Sequence, residues 1–289
     1  MRFATCNEMF EGWSWADTVR AIAEAGYDGV EIAPFTLAEA VTDLSPSERA
    51  TLRRQAEDAG IAVAGLHWLF VSPKGLHATA DDAPTRWRTT AYLRELIRFC
   101  GDLGGEVMIV GSPQQRDVQP GVAYETAWVR FVDMIEACVD LAAEREVTLC
   151  IESIPADQGN FVTRLDEAVR MVREVNHPHF QTMWDVHNAH QEQEPLPDLV
   201  RRNMPYIRHV HVQEMDGSYP GSRNFDFGAI LRVLQEANFQ GYISAEVFDF
   251  SPGPETITRE TIRYLKRQTS NVRRGGHKNG IHDNSRTAL

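Results

Sequence analysis

Three carboxylates and one imidazole stand where short apolar runs give way to polar chain. Glu152 closes TLCIES, Asp185 lies at the end of TMWDV, His211 sits within RHVHVQE, and Glu246 falls near the end of YISAEVF. Taken singly, a carboxylate there is the first solvated residue of a loop, and a histidine is a hydrogen-bonded core residue. Taken together, four successive runs ending in O, O, N and O donors need another explanation. The runs read as buried on both faces, where an unpaired charge is costly. Three bare carboxylates brought together repel, and a divalent cation reverses the sign of that interaction. Oxygen donors with one imidazole suit Mn²⁺ first, with Co²⁺, Mg²⁺ and Zn²⁺ also within reach. Glu152, Asp185, His211 and Glu246 are therefore expected to ligate one divalent metal ion.

The elements that must position these groups are legible as eight β-branched or apolar runs. They cover Phe3–Cys6, Gly29–Ile32, Ala62–His67, Val107–Val110, Thr148–Glu152, Thr182–Val186, Ile207–Val212 and Tyr242–Val247. Stretches of helical periodicity separate them: Ala16–Ala25 stops at Gly26, Ser47–Ala59 at Gly60 and Tyr92–Leu103 at Gly104. Strand and helix alternating eight times predict an α/β fold with a parallel sheet, closed as a (β/α)8 TIM barrel. A doubly wound open sheet is the rival. It usually carries a GxGxxG turn after its first strand, and Thr5–Gly12 (TCNEMFEG) has none. In a barrel, catalytic groups gather at the C-terminal ends of the strands, where all four candidates fall.

The chain has 289 residues, enough to bury a full core as one domain. Residues 1–268 are expected to form the barrel. Residues 269–289 are polar and aperiodic and read as a disordered tail. With 29 basic against 41 acidic residues the net charge is −12, which disfavours nucleic acid as a partner. Cys6, Cys100, Cys138 and Cys150 show no metal or redox spacing and read as buried thiols in a reducing compartment. No apolar run approaches the roughly 18 residues of a membrane span, and no signal peptide opens the chain. A cytoplasmic protein without a membrane partner is expected.

The contexts IES, WDVHN, HVHVQE and SAEVF resemble the xylose-isomerase-like barrels of sugar isomerases and epimerases. Within these they are most similar to ketose 3-epimerases of the tagatose and psicose type. NFVTRLDEAV (160–169) and PGSRNFDFGAIL (220–231) extend the likeness, which covers roughly residues 2–268. The resemblance implies that Glu152 and Glu246 are catalytic as well as metal-bound. One would take a proton beside a carbonyl and the other return it from the opposite face, through a cis-enediolate. The chemistry agrees: two carboxylates of different protonation state supply a base and an acid.

Three substrate contacts implied by the resemblance are altered. A histidine three residues after the metal aspartate is here Asn188, a carboxylate six residues after the first metal glutamate is Gln158, and an arginine six residues after the metal histidine is Gly217. The metal chemistry should survive, whereas a plain ketohexose should fit poorly. Gly217 should leave room for a bulkier keto-sugar, a glycoside or a cyclitol ring. His67, Gln158, His187 and Asn188 are the expected substrate-binding residues. Glu31 is expected to orient substrate hydroxyls and His209 to pack beneath His211. Trp13, Trp15, Trp68 and Phe248 offer aromatic faces.

Asp185-Val186-His187-Asn188 also resembles inosose dehydratases, so a lyase on an inosose or keto-glycoside is the alternative within enzymes. Outside catalysis, a metal-binding barrel subunit of a hetero-complex stays open. Otherwise a homo-oligomer, dimer or tetramer, is expected. An endonuclease IV-type repair enzyme needs a larger ligand set than Val110-Gly111-Ser112 and Asp216–Asp226 provide.

Overall fold

The computed structural model describes the backbone of residues 1–278. Eight parallel strands close into a barrel in sequential order, with β1 pairing both β2 and β8. They are β1 (Arg2–Cys6), β2 (Gly29–Ile32), β3 (Ala62–Leu66), β4 (Val107–Val110), β5 (Thr148–Ile151), β6 (Phe180–Asp185), β7 (Ile207–Val212) and β8 (Tyr242–Ala245). Each expected strand is present within a residue or two, and closure rules out the doubly wound alternative.

The helices α1 (Trp15–Ala25), α2 (Pro46–Asp58), α3 (Ala83–Leu103), α4 (Tyr124–Glu144), α5 (Leu165–Val175), α6 (Leu196–Asn203), α7 (Phe227–Glu236) and α8 (Pro254–Lys278) form the outer layer. Each turns an apolar stripe inward. Val19 and Ile22 of α1 and Phe131, Ile135 and Cys138 of α4 are fully buried, as burial of helix faces on a sheet requires. Helix α3 begins well before the Tyr92 expected from periodicity. Asp82 caps it by accepting from Thr85 N at 2.8 Å, and Pro84 is tolerated in the first turn, so the real start lies in a polar stretch. Helix α8 runs past the expected domain end at 268. Thr269 is buried, and its hydroxyl donates to Leu265 O at 2.9 Å. The rest of the expected tail, 279–289, lies outside the described residues. No helix among the described residues is long and apolar enough to cross a membrane.

Strand register sets the site. Asp185 pairs with His211, and His211 pairs with Ser244, two residues before Glu246. β5 pairs β6 through Ile151 and Thr182, which raises Glu152 to the same rim.

Candidate metal centre

Glu152, Asp185, His211 and Glu246 each offer a ligand atom, and these atoms all lie within 4.8 Å of one another. All four side chains are buried. Asp185 Oδ1 accepts the amide of His187 at 2.8 Å, while its buried Oδ2 has no partner. His211 Nε2 lies 3.1 Å from both oxygens of Glu31, which places the ring proton there. Its Nδ1 is 3.0 Å from Glu246 Oε2 but lacks the alignment of a hydrogen bond. Two unpartnered donor atoms thus face a closed ring of carboxylates, and the donor set fits one divalent cation.

The electrostatics show the strain that the cluster carries alone. Burial, then the charges of Glu246 and Asp185, pushes the Glu152 carboxyl up to about 8. Burial and Glu246 push Asp185 up to about 6. Glu246 is also buried, but the positive charge of His211 and the contacts of His211 and His67 outweigh burial and hold it at about 2. Burial disfavours the His211 cation, yet Glu31 and Glu246 raise its pKa well above the usual imidazole range.

Surrounding residues fix these groups. Asn188 Nδ2 donates to Glu152 Oε1 at 2.9 Å. Gly111 leaves Glu152 Oε2 its space, since a Cβ there would fall 2.1 Å from that oxygen. Arg116, only 1% exposed, donates from Nη2 to the Glu152 carbonyl at 2.7 Å. His67 stands 3.2 Å from Glu246 Oε1 through Nδ1, and its Nε2 is 3.1 Å from Glu8 Oε2.

His67, Gln158 and Asn188 line the pocket above the cluster, together with Trp68, Gly111 and Phe248. Trp68 occupies the left-handed region (φ 53°), an unfavourable conformation for an aromatic residue that is characteristic of constrained sites. His187 does not line this pocket. Its ring packs edge-on against Phe248, centroids 5.7 Å apart, and its Nε2 is 3.4 Å from Gln158 Nε2.

Two expectations are corrected. Glu31 is fully buried and serves the histidines, not a substrate: besides His211 it accepts from His209 Nε2 at 2.8 Å. Gly217 leaves no open space. It adopts φ 79°, its carbonyl accepts from the amides of Phe248 and Asp249, and a Cβ there would meet Phe248 Cβ at 3.2 Å. An aromatic wall stands where an arginine side chain was missing. Glu8 and Arg116 were not singled out from sequence. Glu8 sits in an unpatterned loop and Arg116 in a polar segment after β4, and only the fold reveals the contact of half-buried Glu8 with His67 and the burial of Arg116.

The chain is similar in sequence and fold to known sugar epimerases. The chain is 24% identical over 235 residues to the D-psicose 3-epimerase of Agrobacterium fabrum, covering 80% of this chain and 78% of the relative. It is 20% identical over 283 residues to the 3-dehydro-D-guloside 4-epimerase of Escherichia coli, covering 92% and 99%. The solved structure of an L-ribulose 3-epimerase superposes with a TM-score of 0.84 at 17% identity, covering 98% and 99% of the two chains. The model of the xylose isomerase-like TIM barrel family matches residues 19–268, and the chain belongs to that family.

Proposed function

We propose that this chain is a divalent-metal-dependent epimerase or isomerase of keto-sugars or related polyols, moving a proton on the carbon beside a carbonyl through an enediolate. One observation carries the reading. Two buried carboxylates, Glu152 and Glu246, each contribute an oxygen to one ligand cluster and line the same pocket. Two carboxylates in one pocket can act as a base and an acid on the same substrate carbon.

Glu152, Asp185, His211 and Glu246 would hold the cation, with Mn²⁺ favoured by the mixed oxygen and imidazole set. When bound it supplies the counter-charge for the carboxylates and polarises substrate oxygens. Glu246 takes the α-proton in one direction, with His67 at 3.2 Å orienting its Oε1. Glu152, held by Asn188 and given space by Gly111, returns a proton from the other face. For the reverse epimer the two exchange roles. Burial of both keeps water from competing for the proton. The epimerase relatives support a carbohydrate substrate.

Asn188, a neutral donor on Glu152, also fits a lyase, in which Glu152 would protonate a departing hydroxyl. We propose a cytoplasmic location, in keeping with four cysteines that are all free and buried. A homo-oligomer remains part of the proposal.

The test is solvent exchange in D₂O with Mn²⁺- or Mg²⁺-loaded protein, read by mass spectrometry across keto-sugars, keto-inositols and 3-keto-glycosides. Deuterium should appear at the α-carbon with a new epimer; loss of water would mark the lyase. No exchange on any member with either metal would end the proposal.

A further inference from the structure

Beside the reaction pocket lies a wider groove. It is bounded by the loop after β1 with Glu8, Phe10 and Trp13, by Phe35 after β2 and by Phe250 after β8. The reaction pocket gives the centre of a water molecule only about 40 Å³, and the groove gives it about 440 Å³. The groove is the roomier of the two. Three aromatic rings are left open to solvent in it: Trp13 at 40%, Phe35 at 41% and Phe250 at 39% exposure. Trp13 is braced edge-on by Phe10, centroids 5.3 Å apart. Exposed aromatic side chains grouped around a concavity mark a binding site.

The groove and the pocket adjoin. Glu8 lines the groove, and its Oε2 is 3.1 Å from Nε2 of His67, which lines the pocket. On the other side Phe248 lines the pocket and Phe250, two residues on, lines the groove. The charge is one-signed: Glu8 and Glu11 border the groove, and among the described residues no lysine or arginine lines its walls. A phosphate or carboxylate on the substrate would be repelled.

We propose that this groove is the subsite for an uncharged ring joined to the reacting sugar, so that the substrate class is a keto-glycoside. The ring lies against Trp13, Phe35 and Phe250, and Glu8 accepts a hydroxyl where the two sugars or the sugar and its aglycone meet. The assignment rests on the reading that chemistry occurs at Glu152 and Glu246, and it deepens that reading by naming what extends beyond the pocket.

The experiment is chosen to separate the two. Phenyl and methyl D-glucopyranosides, each as both anomers, carry no carbonyl and cannot react. Their binding to the full-length, Mg²⁺-loaded protein, measured by calorimetry, reports the groove alone, while deuterium exchange reports the chemistry. One phenyl glycoside should bind at least tenfold more tightly than the methyl glycoside of the same anomer. Trp13→Ala and, independently, Phe35→Ala should reduce that ratio to within about twofold, with circular dichroism showing the fold retained. On 3-keto-glycosides the same variants should lose kcat/KM at least tenfold more than on free ketoses. Equal affinity for phenyl and methyl glycosides in the unaltered protein would overturn the proposal, and needs no variant to show it. So would Trp13→Ala converting an oligomer to monomer in sedimentation without changing the ratio, which would make the groove a contact between copies.

Discussion

Replacing Glu31 by Gln tests the support beneath the metal ligands. Its carboxylate is completely buried, receives His209 Nε2 at 2.8 Å and faces His211 Nε2 at 3.1 Å. Burial opposes its charge, but the two histidines outweigh burial and hold it well below the usual carboxylate range. Glutamine keeps the shape, loses the charge and presents one acceptor and one donor to two N–H groups. One bond then falls from a charge-assisted strength of about 1.5–3 kcal/mol to an ordinary 0.5–1.5 kcal/mol. The other leaves a buried donor unmet, at roughly 1–3 kcal/mol. The expected loss of stability is about 2–5 kcal/mol in urea unfolding. With His211 no longer fixed as the Nε2–H tautomer, Mn²⁺ affinity should fall roughly 10- to 100-fold, the usual effect of removing a partner of a ligating histidine. Free Mn²⁺ measured by electron paramagnetic resonance gives that affinity directly. An unchanged affinity together with a stability loss below about 0.5 kcal/mol would refute the assignment of Glu31 as the residue that orients His211.

Other outcomes follow from the same geometry. Asp185→Asn should weaken metal binding so that excess Mn²⁺ restores part of the turnover. Glu152→Gln and Glu246→Gln should each lose about 10²–10⁴-fold in kcat that metal does not restore; full rescue of both would remove their acid–base role. Arg116→Lys should lower kcat by about 10- to 100-fold with KM little changed, because a shorter cation loses the bond to the Glu152 carbonyl; an unchanged kcat would show that this bond does not position Glu152. The metal-free protein should lose stability as pH rises from about 5 to about 9. Glu152 and Asp185, raised to about 8 and about 6, hold protons more tightly folded than unfolded, so their contribution is present at low pH and lost as pH passes those values. His211, raised above its unfolded value, acts in the same direction above about pH 6.5, whereas Glu246, at about 2, contributes a constant amount throughout the window. Thermal melts after chelation should show the decline, and Mn²⁺ should flatten it. A pH-independent melting temperature in the chelated protein would refute the picture of a repelling cluster.

The barrel and the four ligand candidates were legible because both rest on strand pattern. An apolar run fixes a strand, and the residue that ends it falls on the rim. What escaped depends on non-local geometry. The acidity of Glu31 suggested a substrate contact, because a single strand does not show that β7 lies across the barrel with two imidazoles at the same level. At position 217 the missing arginine was visible, but the carbonyl of a left-handed glycine drawing in the Phe248 amide was not. The start of α3 was hidden because its first turns are polar and solvent-facing.

The four metal-site candidates come only from β5 to β8 and the residues that end them, the second half of the barrel. The first half contributes Glu8 and most of the aromatic groove, as well as Glu31 and His67. The groove is therefore built mostly from the first half and the ligand cluster wholly from the second, while Gln158, Asn188, Phe248 and Phe250 bring recognition into the second half as well. A chimera that takes residues up to β4 from a family member of different specificity should shift the preference set by the groove, while this chain's ligands and the pocket wall of Gln158, Asn188 and Phe248 stay. The seam imposes one condition, that the incoming half also carry a carboxylate and an imidazole at the positions of Glu31 and His67.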